Sequence, residues 1–131
     1  MGTKEIEEVM IRACADLGIV GIGSIYVSDD FPEGPADERI VIHVKPSQRG
    51  TWFYKGFVEV NAVVPDVSGR ADHERLEAVE KTIVDAFRYD VCGTFGNETY
   101  RYGLYSTEVL REPEAKFHFV NARLTFEILN I

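Results

Sequence analysis

The chain has 131 residues, the size of one ordinary domain, with 45% hydrophobic and 27% charged residues, so it can bury a single core and lacks the profile of a disordered chain. Asp and Glu number 22 against 14 Lys and Arg, a formal charge of -8, which disfavours tight gripping of a phosphate backbone. No stretch approaches the roughly 18 consecutive apolar residues of a membrane span, and residues 1–5 lack a signal-peptide layout, so we expect a protein of the cytosol or of a particle built there.

Residues 4–17 are expected to form an amphipathic helix. Ile6, Val9, Met10, Ala13 and Leu17 fall on one stripe of a 3.6-residue period, with Thr3 as N-cap and Gly18 as left-handed stop. Residues 22–27 follow as a short strand. Residues 28–38, with Asp29, Asp30, Pro32, Glu33, Gly34, Pro35, Asp37 and Glu38, make an acidic surface loop. Arg39 to Val44 is a β-branched strand. Residues 51–64 form a long strand with Val58, Val60, Ala62 and Val64 on one face and Glu59 and Asn61 on the other. A second helix spans about 72–87 on the stripe Leu76, Val79, Ile83 and Phe87.

Residues 92–97 are expected to be a glycine-rich turn, followed by strands over 99–110 and 116–130. In the last, Val120, Ala122, Leu124, Phe126 and Ile128 alternate with Asn121, Arg123, Thr125 and Glu127. Short links between consecutive strands favour antiparallel neighbours. The expected fold class is α+β: a two-layer sandwich with a mainly antiparallel sheet of about five strands and two helices on one face, in the order α-β-β-β-α-β-β. One domain covers residues 1–131.

Tests for chemistry return little. Gly18, Gly21 and Gly23 follow a helix and open a strand, the reverse of a dinucleotide loop. Phe31 and Pro32 interrupt any calcium-type ladder in the acidic loop. His43, His73 and His118 show no metal-ligand spacing, although a cluster with Asp66 in space can be imagined. No nucleophile elbow occurs, neither Cys14 nor Cys92 has a neighbouring base, and free or buried thiols are expected. No catalytic, cofactor-binding or metal-ligating residue is assigned, and an enzyme is not expected.

Segment 48–57 is the most unusual. Arg49, Trp52, Phe53, Tyr54, Lys55 and Phe57 place four aromatics and two cations at the end of a strand pair. Three readings stay open: aromatics completing the core, an arm docking on another subunit, or a stacking platform for single-stranded nucleic acid. For Tyr100, Tyr102 and Tyr105 the core is preferred.

The layout as a whole resembles the small tail terminator (tail completion) proteins of long-tailed bacteriophages. The likeness rests on the N-terminal helix, the short Ile25-Tyr26-Val27 strand with its proline-bearing loop, and strand 39–44. It continues through Gly56-Phe57-Val58-Glu59-Val60-Asn61-Ala62-Val63-Val64-Pro65-Asp66, the helix opening at 72–80, and the closing strands with Asn121-Ala122-Arg123-Leu124-Thr125-Phe126. The resemblance implies a homo-oligomeric ring, a hexamer, that caps the tail tube and meets the tail tube protein and the head connector protein. It implies no cofactor, no specific nucleic acid and no membrane, and a place in the virion neck after assembly in the bacterial cytoplasm. The alternatives are a head-tail stopper or other minor tail protein, and a small-molecule-binding domain or enzyme. A deep pocket holding His43, His118 and carboxylates would favour the last.

Overall fold

The computed structural model describes residues 1–28, 30–32, 37–46, 55–112, 114 and 116–129. Helix α1 spans Thr3–Ala15 and helix α2 His73–Phe87. The strands are β1 (Ile25–Val27), β2 (Arg39–Pro46), β3 (Lys55–Pro65), β4 (Val91–Phe95), β5 (Glu98–Glu112) and β6 (Phe117–Ile128). They form one six-stranded sheet in the order β1-β2-β3-β6-β5-β4, curled into a half-barrel. The class is α+β, as the patterning implied, with a sixth strand added.

Helix α1 buries Ile6, Val9, Met10 and Cys14. Its N-cap is Gly2 rather than Thr3: the Gly2 N–H donates to the Glu5 carboxylate at 3.4 Å, and Thr3 is already helical. The chain leaves α1 through Gly18 at φ +72, a left-handed turn suited to glycine. Helix α2 is capped by Asp72, whose carboxylate accepts from the Arg75 N–H at 3.2 Å, an interaction worth about 1 kcal/mol. It buries Leu76, Val79, Ile83 and Phe87, the stripe read from the sequence.

Both helices cover the same face of the sheet. That face supplies Ile40 and Ile42 from β2, then Val58, Val60, Ala62 and Val64 from β3. From β6 come Val120, Ala122, Leu124, Phe126 and Ile128. Side chains alternate across a strand, so one buried parity per strand leaves the other parity on the opposite, open face. Each fully buried large aliphatic or aromatic side chain contributes about 1.5–3 kcal/mol. At one end of the core Tyr100, Tyr102 and Phe126 stack with ring centroids 5.4–6.0 Å apart, and Phe87 meets Tyr102 edge-on at 5.9 Å. Burial pushes the Tyr102 hydroxyl up to about 12 and the Cys14 thiol up to about 12.

Three elements depart from expectation. Residues 22–24 form a 3-10 turn, so β1 is only three residues long. Strand β1 runs parallel to β2, with Ile25 beside Ile40. The segment 28–38 between them is long enough to return the chain to the same end of the sheet, whereas only Gly96 and Asn97 join β4 to β5 as an antiparallel hairpin. Finally, the expected turn at 92–97 is mostly strand: β4 pairs with β5 from Val91–Tyr102 to Phe95–Glu98, and only Gly96 and Asn97 turn. Gly93 serves close packing there, because a Cβ on it would stand 2.3 Å from the Tyr100 hydroxyl oxygen.

Candidate interaction face

The open face is laid out in rows by the strand register. At one end Arg39, Val63, Phe119 and Leu110 lie side by side across β2, β3, β6 and β5. The next rows are Val41, Asn61, Asn121 and Glu108, then His43, Glu59, Arg123 and Ser106. Beyond them come Lys45, Phe57, Thr125 and Gly103, and finally Lys55, Glu127 and Arg101. A register shift between Leu104 and Ser106 exchanges the faces along β5. It puts Leu110 on the open face and Val109, 45% exposed, on the helix side.

The face thus changes character along the strands. One end is apolar: Val41 and Val63 are buried without a helix above them, and Phe117 and Phe119 pack at 6.1 Å. The middle is a hydrogen-bonded polar set. The Asn121 amide donates to Glu59 Oε2 at 3.0 Å and to Asn61 Oδ1 at 2.6 Å. Lys45 Nζ lies 2.9 Å and Arg123 3.7 Å from Glu59 Oε1. Burial opposes ionisation of Glu59, but hydrogen bonds from Lys45 and Asn121 and the charges of Lys45 and Arg123 outweigh it and hold the carboxyl below its usual range. Glu59 and Asn121 are each only 9% exposed.

The other end is aromatic and cationic. Arg123 lies over the Phe57 ring at 5.2 Å, and Phe57 meets Tyr105 edge-on at 5.4 Å. Tyr105 is 63% exposed, in contrast to Tyr100 and Tyr102 on the covered side. Only two of these three tyrosines therefore join the core, because Tyr105 has the opposite parity on β5. Lys45 and Lys55 stand at the same end, and Arg101 pairs with Glu127 through its Nε at 2.8 Å.

Of the six interface candidates named from the sequence, Lys55 and Phe57 fall on this face, Lys55 exposed and Phe57 half-buried. Arg49, Trp52, Phe53 and Tyr54 lie outside the described residues, in the stretch of sequence between Pro46, which ends β2, and Lys55, which begins β3. Sequence reading missed Arg123, Lys45 and Tyr105 as neighbours of Phe57. The alternation in β6 placed Arg123 off the core, but only the register joins it to β3.

The histidines do not converge. His43 stands opposite Glu59 on the open face, while His118 has the parity of the covered face beside Val64. His118 Nδ1 meets Asp66 Oδ1 at 2.7 Å, so the imagined Asp66 contact exists for one histidine. In the acidic loop Arg75 pairs with Glu38 at 2.7 Å, while Asp29 and Glu33 lie outside the described residues. Among the described residues no group of three His, Cys, Asp or Glu is placed to hold a metal ion. Cys14 is buried and Cys92 exposed, and both are free thiols. No described helix is long and apolar enough to cross a membrane.

One groove of ≈ 210 Å³ lies between α1 and the β4–β5 hairpin, lined by Val9, Arg12, Asp16, Phe95, Tyr100 and Tyr102 among others.

No family model matches the chain, and no curated protein matches it. It is similar to a solved structure of a protein whose name describes no function, at 14% sequence identity and a TM-score of 0.67. The similarity covers 100% of this chain and 98% of that one, and it extends to the fold.

Proposed function

We propose that this protein is a structural assembly subunit that works through the uncovered face of its sheet, in the manner of a phage tail terminator ring. The observation that carries the reading is the graded open face, from an apolar row at Val63 and Phe119 to the cation–aromatic end at Lys45, Phe57, Tyr105 and Arg123. Tyr, Phe and Arg are the side chains that anchor protein interfaces, and the buried Glu59 beside them holds Lys45 and Arg123. Pro46 and Gly56, which pair at this end of the sheet, flank the sequence candidates 49–54 along the chain, next to Lys55 and Phe57. A ring of head-to-tail contacts requires two different patches per subunit. The resemblance in layout supplies the specific form: a hexameric ring that ends the tail tube and receives the head connector, with no chemistry.

Native mass tests it directly. The expected outcome is a single closed oligomer, annular by negative-stain microscopy, that stops polymerisation of a tail tube protein in vitro. The double change Trp52→Ala and Phe53→Ala is expected to leave a folded monomer by circular dichroism. Normal assembly of that variant would remove the arm from the interface, and a wild-type protein that stays monomeric at every concentration would overturn the reading. Binding to a preformed portal complex but not to tube ends would favour the head-tail stopper instead.

The groove between α1 and the β4–β5 hairpin favours a second reading, a small-ligand-binding domain. Its walls combine aromatic surface at Phe95 and Tyr100 with Arg12 and Asp16. A small molecule retained in native mass spectra and lost in a Tyr100→Ala variant would support it.

A further inference from the structure

Resting on the assembly reading, we infer that the basic end of the open face docks on the acidic outer side of helix α2 of a second copy of this chain. The first ground is charge segregation. Residues 43–58 contain Lys45, Arg49 and Lys55 and not one carboxylate, in a chain with 22 Asp and Glu against 14 Lys and Arg. Across the sheet, Arg123 adds a further cation to this end, and Arg101 another. Two carboxylates are set among them: Glu59 is buried and engaged by Lys45, Asn121 and Arg123, and Glu127 is engaged by Arg101. Lys45, Lys55, Arg101 and Arg123 therefore outnumber Glu59 and Glu127 at this end of the face.

The second ground is the outer side of α2. Its two cations are occupied: Arg75 pairs with Glu38 at 2.7 Å and Lys81 with Asp85 at 2.8 Å. Glu74 and Glu77 are exposed, Glu80 is half-buried, and none of the three forms an ion pair among the described residues. Helix α1 offers less: Glu8 is paired with Arg12 and Glu5 accepts from the Gly2 N–H, which leaves Glu7 as its carboxylate without an ion pair among the described residues. Complementary potentials on two surfaces steer encounter and fix register.

The third ground is placement. The cationic end belongs to the open face and α2 to the covered face, so the patches lie on opposite sides of one molecule. A contact between them is head-to-tail, each copy giving one patch and receiving the other, and such contacts close into a ring when the rotation between copies allows. A flat two-fold dimer through either patch alone would bring like charges together.

The test uses two surface reversals, Lys55→Glu and Glu77→Lys, in the full chain. Each alone is expected to raise the concentration at which half the protein is assembled by at least about tenfold, with an unchanged melting temperature. An equimolar mixture of the two is expected to assemble near the wild-type concentration, because the reversed patches of one variant then face those of the other. Wild-type assembly is expected to weaken between about 50 and about 500 mM NaCl, as screening shortens the reach of the charges. Assembly of either single variant at the wild-type concentration, or a mixture that remains monomeric, would overturn the proposed contact while leaving the assembly reading intact. Wild-type protein that never assembles would overturn both. A wild type that binds a fluorescent oligothymidylate, with binding lost in Lys55→Glu while assembly is unaffected, would assign this end of the face to nucleic acid and overturn the contact.

Discussion

The two faces of the sheet are built from the same strands, yet they obey different rules. On the covered face of β2, β3 and β6 nearly every position is an aliphatic or aromatic side chain of the helix-backed core, from Ile40 to Ile128. On the open face a step of one row changes the chemistry, from Phe119 through Asn121 to Arg123 and Thr125. Uniform apolar burial is non-directional and serves stability. A sequence of distinct rows carries orientation and register, which is what recognition of a partner requires. The sharpest way to break this contrast is to remove volume from the covered face. Phe126→Ala takes out a fully buried ring and the stacking partner of Tyr100 and Tyr102, and is expected to lose about 3–5 kcal/mol in urea unfolding. A loss below about 1 kcal/mol would mean that the covered face is not the stabilising one.

A smaller effect is expected at the margin of the core. Gly93→Ala would set a methyl group 2.3 Å from the Tyr100 hydroxyl oxygen and 2.5 Å from its ring carbon. The ring cannot yield without leaving its stack on Tyr102 and Phe126, so a loss of about 1–3 kcal/mol is expected, with a change in near-ultraviolet circular dichroism. Full stability with an unchanged aromatic spectrum would show that the hairpin simply shifts aside.

The same glycine shows where sequence reading reached its limit. Among Cys92, Gly93, Gly96 and Asn97 the composition reads as a turn, and half of that is right: Gly96 turns at φ +60. Gly93 looks alike in sequence, but it is a strand residue whose absent side chain makes room for Tyr100, a relation visible only once β4 is laid against β5. The helices and β6 were legible because their stripes and alternation are local properties. Strand β1 was half legible, since the turn at Ile22–Ser24 depends on how the chain enters the sheet beneath α1. The open face was legible only as the polar half of each strand: nothing in the order of β3 and β6 says that Glu59 faces Arg123 or that Phe57 comes to lie under its guanidinium. The change of faces after Leu104 similarly disguised Leu110, whose place beside Phe119 follows from a one-residue shift that no local pattern announces.

The finest test of the contrast is pH. Glu59 is buried, which alone would disfavour its charge. The hydrogen bonds from Lys45 and Asn121 and the nearby Arg123 outweigh that and keep its folded value below the unfolded one. In the window between the two values the native state binds fewer protons than the unfolded chain. The contribution of Glu59 is therefore complete above the unfolded carboxylate range and is lost as pH falls through the lower, folded value. Glu59→Gln keeps an oxygen for the Asn121 amide but offers Lys45 and Arg123 no charge. At pH 7 it is expected to lose about 1 kcal/mol, and the gap to wild type is expected to close as the wild-type carboxyl protonates in acid. Urea midpoints compared at pH 7 and near pH 3 read this directly. Phe126→Ala, with no titrating group removed, provides the reference, since its deficit is expected to persist at both. A Glu59→Gln deficit that is equally independent of pH would mean that the open face, like the covered one, rests on packing rather than on its charges.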